Sequence, residues 1–121
     1  MTTAGQDRLF VPLTAEAFGW WSRGKRREVR VYGKRWNECH IHPGRLVELR
    51  RGYSGPSLWG RIGRVMICAF EDLSDNGVPM IEVAPERVSW LAVRNACGCC
   101  SWREQVVAFE VLLDEGQGAG G

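Results

Sequence analysis

The chain has 121 residues, 45% of them apolar, and a formal net charge of +2. That length and composition suit one core of ordinary size, and no run of eighteen apolar residues is present to cross a membrane as a helix. The five cysteines are odd in number, with three crowded at positions 97, 99 and 100. This argues against a disulfide framework and for a reducing cytoplasm, as does the lack of a basic start followed by an apolar stretch.

Residues 1–9 read as a flexible tail, 10–113 as the domain, and 114–121 as a disordered glycine-rich tail. Leu13 and Thr14 open a short helix, with Thr14 as its cap and Leu13 paired to Phe18 across the cap. Gly24 is its stop. A first strand is expected over about 27–32, where Val29 and Val31 face the core and Glu28, Arg30 and Tyr32 share the other face. Lys25 comes off the turn just before it. A carboxylate between two cations at this spacing is a place to hold a polar, partly anionic ligand.

Pro43 and Gly44 mark a turn, after which about 45–50 alternates as a strand, Val47 and Leu49 against Glu48 and Arg50. A loop over 51–57 leads to a longer strand at about 58–70, whose run Val65–Phe70 reads as buried on both faces. A short strand at 79–83 and a helix at about 85–97 follow. Pro85 would be the first helical residue, and Val88, Leu91 and Ala92 would be buried. Residues 106–113 fit a strand by composition and a helix by spacing; the strand is favoured. The sum is an α+β fold, a small curled barrel with flanking helices and any site at its mouth.

Charge is unevenly spread. From Arg23 to Arg64 there are twelve basic residues against three acidic, and from Val65 onward three against nine. The basic block is interleaved with Trp36, Tyr53 and Trp59. Arginines supply forked contacts to phosphate and aromatics supply stacking, so RNA or a nucleotide is the expected partner. Arg30, Arg35 and Arg45 are the candidate phosphate ligands, and Trp36 and Tyr53 the candidate stacking surfaces. A solvated face that pairs with the acidic half of the same molecule is the competing reading. Lys25 is a candidate nucleophile or general base, with Glu28 as general acid or base. Cys39, His40, His42, Cys97, Cys99 and Cys100 do not have the spacing of a standard zinc knuckle, so no metal and no cofactor is expected.

The order of these pieces resembles the ASCH domain, of the PUA-like group of small β-barrels. Lys25, Glu28 and Arg30 match the charged positions of a Gly-x-Lys-x-x-Glu-x-Arg motif, with Arg23 at the motif's glycine. Pro43-Gly44 with Arg45-Leu-Val-Glu-Leu matches its turn and strand, and Val107-Ala-Phe-Glu-Val-Leu its closing strand. The resemblance covers about residues 10–113. It implies a PUA-like barrel that binds RNA or a modified nucleoside at the mouth formed by the motif. Some members are similar to amidohydrolases acting on acetylated cytidine, through a lysine, a threonine and a distant glutamate; others are similar to ribonucleases. Here Lys25 matches the lysine, Glu28 stands at the threonine position, and Glu82 and Glu86 are candidates for the glutamate by region. A protein-interaction domain remains the third alternative.

Overall fold

The structure is a computed structural model and describes residues 8–86 and 89–114. The first strand, β1 (Leu9–Leu13), lies where the expected tail was to end. Leu9, Val11 and Leu13 are buried and alternate with half-buried Phe10 and Pro12. Pro12 cannot donate to a ladder, which suits β1's place at a sheet edge. The remainder of both expected tails lies outside the described residues, apart from Arg8 and Asp114.

Helix α1 (Ala15–Trp20) begins as expected, with Thr14 Oγ1 accepting from the Ala17 N–H at 3.1 Å. A 3-10 turn (Trp21–Arg23) continues it, and Gly24 stops it with φ +113°, a conformation that side chains resist. Strand β2 (Arg27–Val31) follows, then a long loop, then the hairpin of β3 (Leu46–Arg51) and β4 (Ser57–Ala69). The last strand, β5 (Gln105–Leu113), settles the ambiguity of that segment in favour of a strand.

Three expectations from β4 onward need correction. The segment 79–83 is no strand but a helical turn, α2 (Met80–Val83). Val83 is buried while Ile81 is 64% exposed, so only one side of this apolar run finds cover. The next helix, α3 (Trp90–Cys97), starts later than residue 85 because Ser89 caps it, accepting from the Ala92 N–H at 3.2 Å. That start turns Val93 inward and leaves Leu91 half exposed and Ala92 half-buried. Val88 lies outside the described residues. Finally, Val65–Ala69 is half-buried throughout and only Phe70 is fully covered.

The five strands form one sheet in the order β1-β3-β4-β5-β2. The β1–β3 pair is parallel and the other three pairs are antiparallel. A register shift between Ile62 and Val65 bends β4 where it crosses from one end of the sheet to the other. The sheet is curled but open: β1 and β2 remain its two edges, so the expected small curled barrel takes the form of a half-barrel with a seam.

Each face has its own core. Val11, Val47, Leu49, Ile62, Val107 and Phe109 pack on the concave side, with Trp21 and Ile41 over them. Val29, Val106, Ala108 and Phe70 pack on the convex side against Leu73, Val83 and Val93. Each such side chain contributes about 1.5–3 kcal/mol by leaving water.

Candidate functional site

Register places the motif. Glu28 lies opposite Phe109 and Arg30 opposite Val107, both residues of the concave core. Val29 lies opposite Ala108 on the convex side. Side chains paired across a ladder share a face, so Glu28 and Arg30 point into the half-barrel. They do so at the seam, because β2 is an edge strand. Arg30 Nη2 donates across the seam to the Pro12 carbonyl of β1 at 3.1 Å.

Lys25, Glu28 and Arg30 therefore meet in one place. Arg30 holds Glu28 Oε2 through Nε at 2.8 Å and Nη2 at 2.7 Å. Lys25 Nζ lies 3.4 Å from Glu28 Oε1 and donates to the Val83 carbonyl. Its ammonium also sits 5.6 Å and 5.7 Å from the ring centroids of Trp20 and Trp21. Lys25 and Glu28 are each only 6% exposed. Burial pushes the Glu28 carboxyl up, but the charges of Lys25 and Arg30 and the Arg30 hydrogen bonds outweigh it and hold it below the usual carboxylate range. Glu28 Oε1 nevertheless accepts no hydrogen bond among the described residues.

These residues line a cavity of about 390 Å³. Leu13, Thr14 and Ala17 wall it from the β1–α1 side, and Val83, Val93 and Cys97 from the convex-side helices. Sequence reasoning missed three of its groups. Thr14 is legible in the sequence only as a cap, Glu16 is not singled out, and Cys97 enters only among the Cys and His residues whose spacing does not fit a zinc knuckle. The one sequence signal for Cys97 is its spacing, four residues after Val93 on α3. Burial, then the Glu28 charge, push the Cys97 thiol up to about 12. Glu82 and Glu86 do not line the cavity. Glu82 pairs with Arg27 at 2.9 Å, and Glu86 pairs with Arg23 at 2.7 Å and accepts from Trp20 Nε1 at 3.2 Å. These pairs join the basic block to the acidic half of the chain.

The remaining sequence candidates divide. Trp36 is half-buried against the concave core, stacked on Phe109 at 6.4 Å and flanked by the guanidinium groups of Arg30 at 4.7 Å and Arg35 at 5.7 Å. It is a wall behind Arg30 rather than an open stacking surface. Arg45 and Tyr53 are elsewhere. Arg45 donates to the His40 carbonyl at 2.6 Å and lines a second cavity, about 530 Å³, with Cys39, His42 and Arg61. Tyr53 is 75% exposed on the β3–β4 loop, near Phe10. Among the described residues no group of three or more His, Cys, Asp or Glu could hold a metal ion, and no helix is long and apolar enough to cross a membrane. All five cysteines are free.

Glu48 is a second buried carboxylate, and here the sequence expectation of an outward polar residue was incomplete. It accepts from Arg8 and Arg50, both at 2.5 Å, and from Ser57 Oγ at 2.6 Å. Burial pushes its carboxyl up, but the hydrogen bonds from Ser57, Arg8 and Arg50 lower it to about 2. These partners come from β3, β4 and the residue just before β1, and Glu48 ties those segments together.

No protein-family model matches the chain, and no curated protein does. Solved structures do. The chain is similar to hypothetical protein PH0355, with a TM-score of 0.65 at 18% identity over 88% of this chain and 99% of that one. It is also similar to protein PF0455 from Pyrococcus furiosus, with a TM-score of 0.62 at 20% identity over 89% and 98%. At those identities the likeness establishes the shared fold, an open five-stranded α+β half-barrel found entire in two small proteins.

Proposed function

We propose that the chain is an ASCH-type module that binds a nucleoside, free or within RNA, in the seam cavity. One observation carries the reading: Lys25, Glu28 and Arg30 converge on a half-open cavity of about 390 Å³ with largely apolar walls. Pockets for small ligands run from roughly 300 to 1,000 Å³, mostly apolar with a few polar groups that fix orientation. A nucleobase, flat and apolar on its faces and polar at its edge, suits that description. The basic block leaves Arg26, Lys34 and Arg35 exposed, where an RNA backbone could follow.

A hydrolase at the same cavity is the second reading, favoured by the presence there of a lysine, a carboxylate and the Thr14 hydroxyl. Against it, the Lys25 ammonium is already engaged by the Val83 carbonyl and the Glu28 carboxylate, whereas a nucleophile needs an available lone pair.

Titration calorimetry with the four ribonucleosides and a short single-stranded RNA tests both. We expect binding of at least one nucleoside, weakened by Lys25→Met, and RNA binding that falls steeply between about 50 and 200 mM salt. Lack of any binding at low salt would reject the module reading. Incubation with acetylated cytidine decides the hydrolase, since release of acetate must depend on Lys25.

A further inference from the structure

The polar groups of the cavity are not equally spent. Arg30 uses its Nε and Nη2 donors on Glu28 Oε2 and the Pro12 carbonyl. Lys25 donates to the Val83 carbonyl, and its 3.4 Å approach to Glu28 Oε1 is a charge contact without hydrogen-bond geometry. One strong acceptor is left over among the described residues, Glu28 Oε1; it has almost no accessible surface of its own and belongs to a residue, more than nine-tenths buried, that lines the cavity. A buried carboxylate oxygen without a donor is costly, and whatever supplies the donor recovers that cost.

We infer that the cavity selects a neutral ligand that presents an N–H donor to Glu28 Oε1, with an acceptor beside it for Lys25. This rests on the nucleoside reading above and names the part of the nucleoside that is held: the hydrogen-bonding edge of the base, not the phosphate. Such an edge places a ring nitrogen or carbonyl next to an N–H, as an amide does. Glu28 Oε1 and Lys25 Nζ, 3.4 Å apart, offer the complementary acceptor and donor side by side. An anion meets a different balance. Both cations face the same carboxylate, Glu28, which is held ionised, and Glu16 also lines the cavity, so the formal charges of Lys25, Arg30, Glu28 and Glu16 cancel and a phosphate entering here would meet two carboxylates. Phosphate contacts belong outside the cavity, on the exposed arginines.

The test compares adenosine and cytidine with their forms dimethylated at the exocyclic amine, and adenosine with its 5′-monophosphate, by calorimetry. A parallel NMR titration uses acetamide, N,N-dimethylacetamide and acetate, read at the amides of Glu28, Val83 and Val93. Removal of the N–H should weaken binding roughly tenfold to a hundredfold, and the phosphate should change it less than about threefold. Glu28→Gln, with its fold confirmed by circular dichroism, should erase the discrimination between parent and dimethylated ligand. Equal binding of the two forms, or a monophosphate preferred tenfold, overturns the inference while leaving the nucleoside reading in place. Acetamide shifts without nucleoside binding retain the donor requirement and reject the nucleoside. Silence from every probe removes both.

Discussion

The Lys25–Glu28 contact makes a quantitative prediction through a double-mutant cycle. Lys25→Met keeps most of the side chain's volume between Trp20 and Trp21 but deletes the ammonium. The Val83 carbonyl loses its donor and Glu28 is left with Arg30 alone. Removing one partner of a buried pair costs about 3–5 kcal/mol, and the surviving Arg30 places this case near the lower end. Glu28→Gln strands Lys25 and Arg30 in the same way, and each keeps one carbonyl, Val83 or Pro12. A loss of roughly 2–3 kcal/mol is expected. In the double variant the Lys25–Glu28 contact is removed from both sides and only Arg30 is left without its carboxylate, so the loss should fall short of the summed singles by about 2 kcal/mol. Urea unfolding followed by tryptophan fluorescence reads all four proteins, with equal m-values as the check on two-state behaviour. Additivity within about 0.5 kcal/mol would show that the two groups do not interact, and the geometry assigned to the cavity would fail with it.

Two further outcomes follow from the titrating groups. Glu48 has a depressed folded-state value, about 2 against an ordinary 4.5, so its contribution to stability is complete above about pH 4.5 and is lost as pH falls toward 2. Glu28 is shifted the same way and adds to the loss. Circular dichroism should therefore record acid unfolding across that window, shallower in Glu48→Gln; an unchanged acid profile in that variant would refute Glu48's part in it. The second concerns thiols. Cys39 and Cys100 are exposed, whereas Cys97 is screened and pushed up to about 12, so a thiol reagent at neutral pH should label Cys97 at least about tenfold more slowly. Mass mapping of the labelled cysteines decides, and labelling of Cys97 as fast as Cys39 would contradict its place in the cavity wall.

What could be read from the sequence depended on whether local pattern and tertiary burial agreed. In β3 they do: Val47 and Leu49 alternate with polar neighbours, and only the apolar pair enters the concave core. The motif was legible for the same reason, since strand alternation put Glu28 and Arg30 together and Gly24 turned Lys25 toward them. In β5 the agreement breaks. Val106 and Ala108 face the helices while Val107 and Phe109 face the half-barrel, and a strand covered on both sides loses its period of two. Strand β1 was hidden by its brevity and by Pro12, and α2 by a four-residue apolar run whose helical form depends on what it packs against. Of the cavity's groups, the Val83 carbonyl could not be foreseen. It is backbone, 58 residues from Lys25, and only the packing of α2 on β2 delivers it.

The strand that pattern reading missed is the one that creates the site. Because β1 runs parallel to β3 at one edge of the sheet, the chain must leave its end and travel across the open side before it can lay down β2 at the other edge. Helix α1 makes that crossing with six residues, too few to fill the gap. The gap is lined by Leu13, Thr14 and Ala17 on one flank and Glu28 and Arg30 on the other, with Val93 and Cys97 of α3 behind. If β1 and β2 paired directly, a backbone ladder would occupy this space and no cavity would remain. Arg30 spans the seam in place of that ladder, with one hydrogen bond to Pro12, and the same guanidinium fixes Glu28. The closure of the half-barrel and the orientation of its acceptor are thus one arrangement. Changes at Arg30 act on stability and ligand binding together, while changes at exposed Arg35 leave the closure intact.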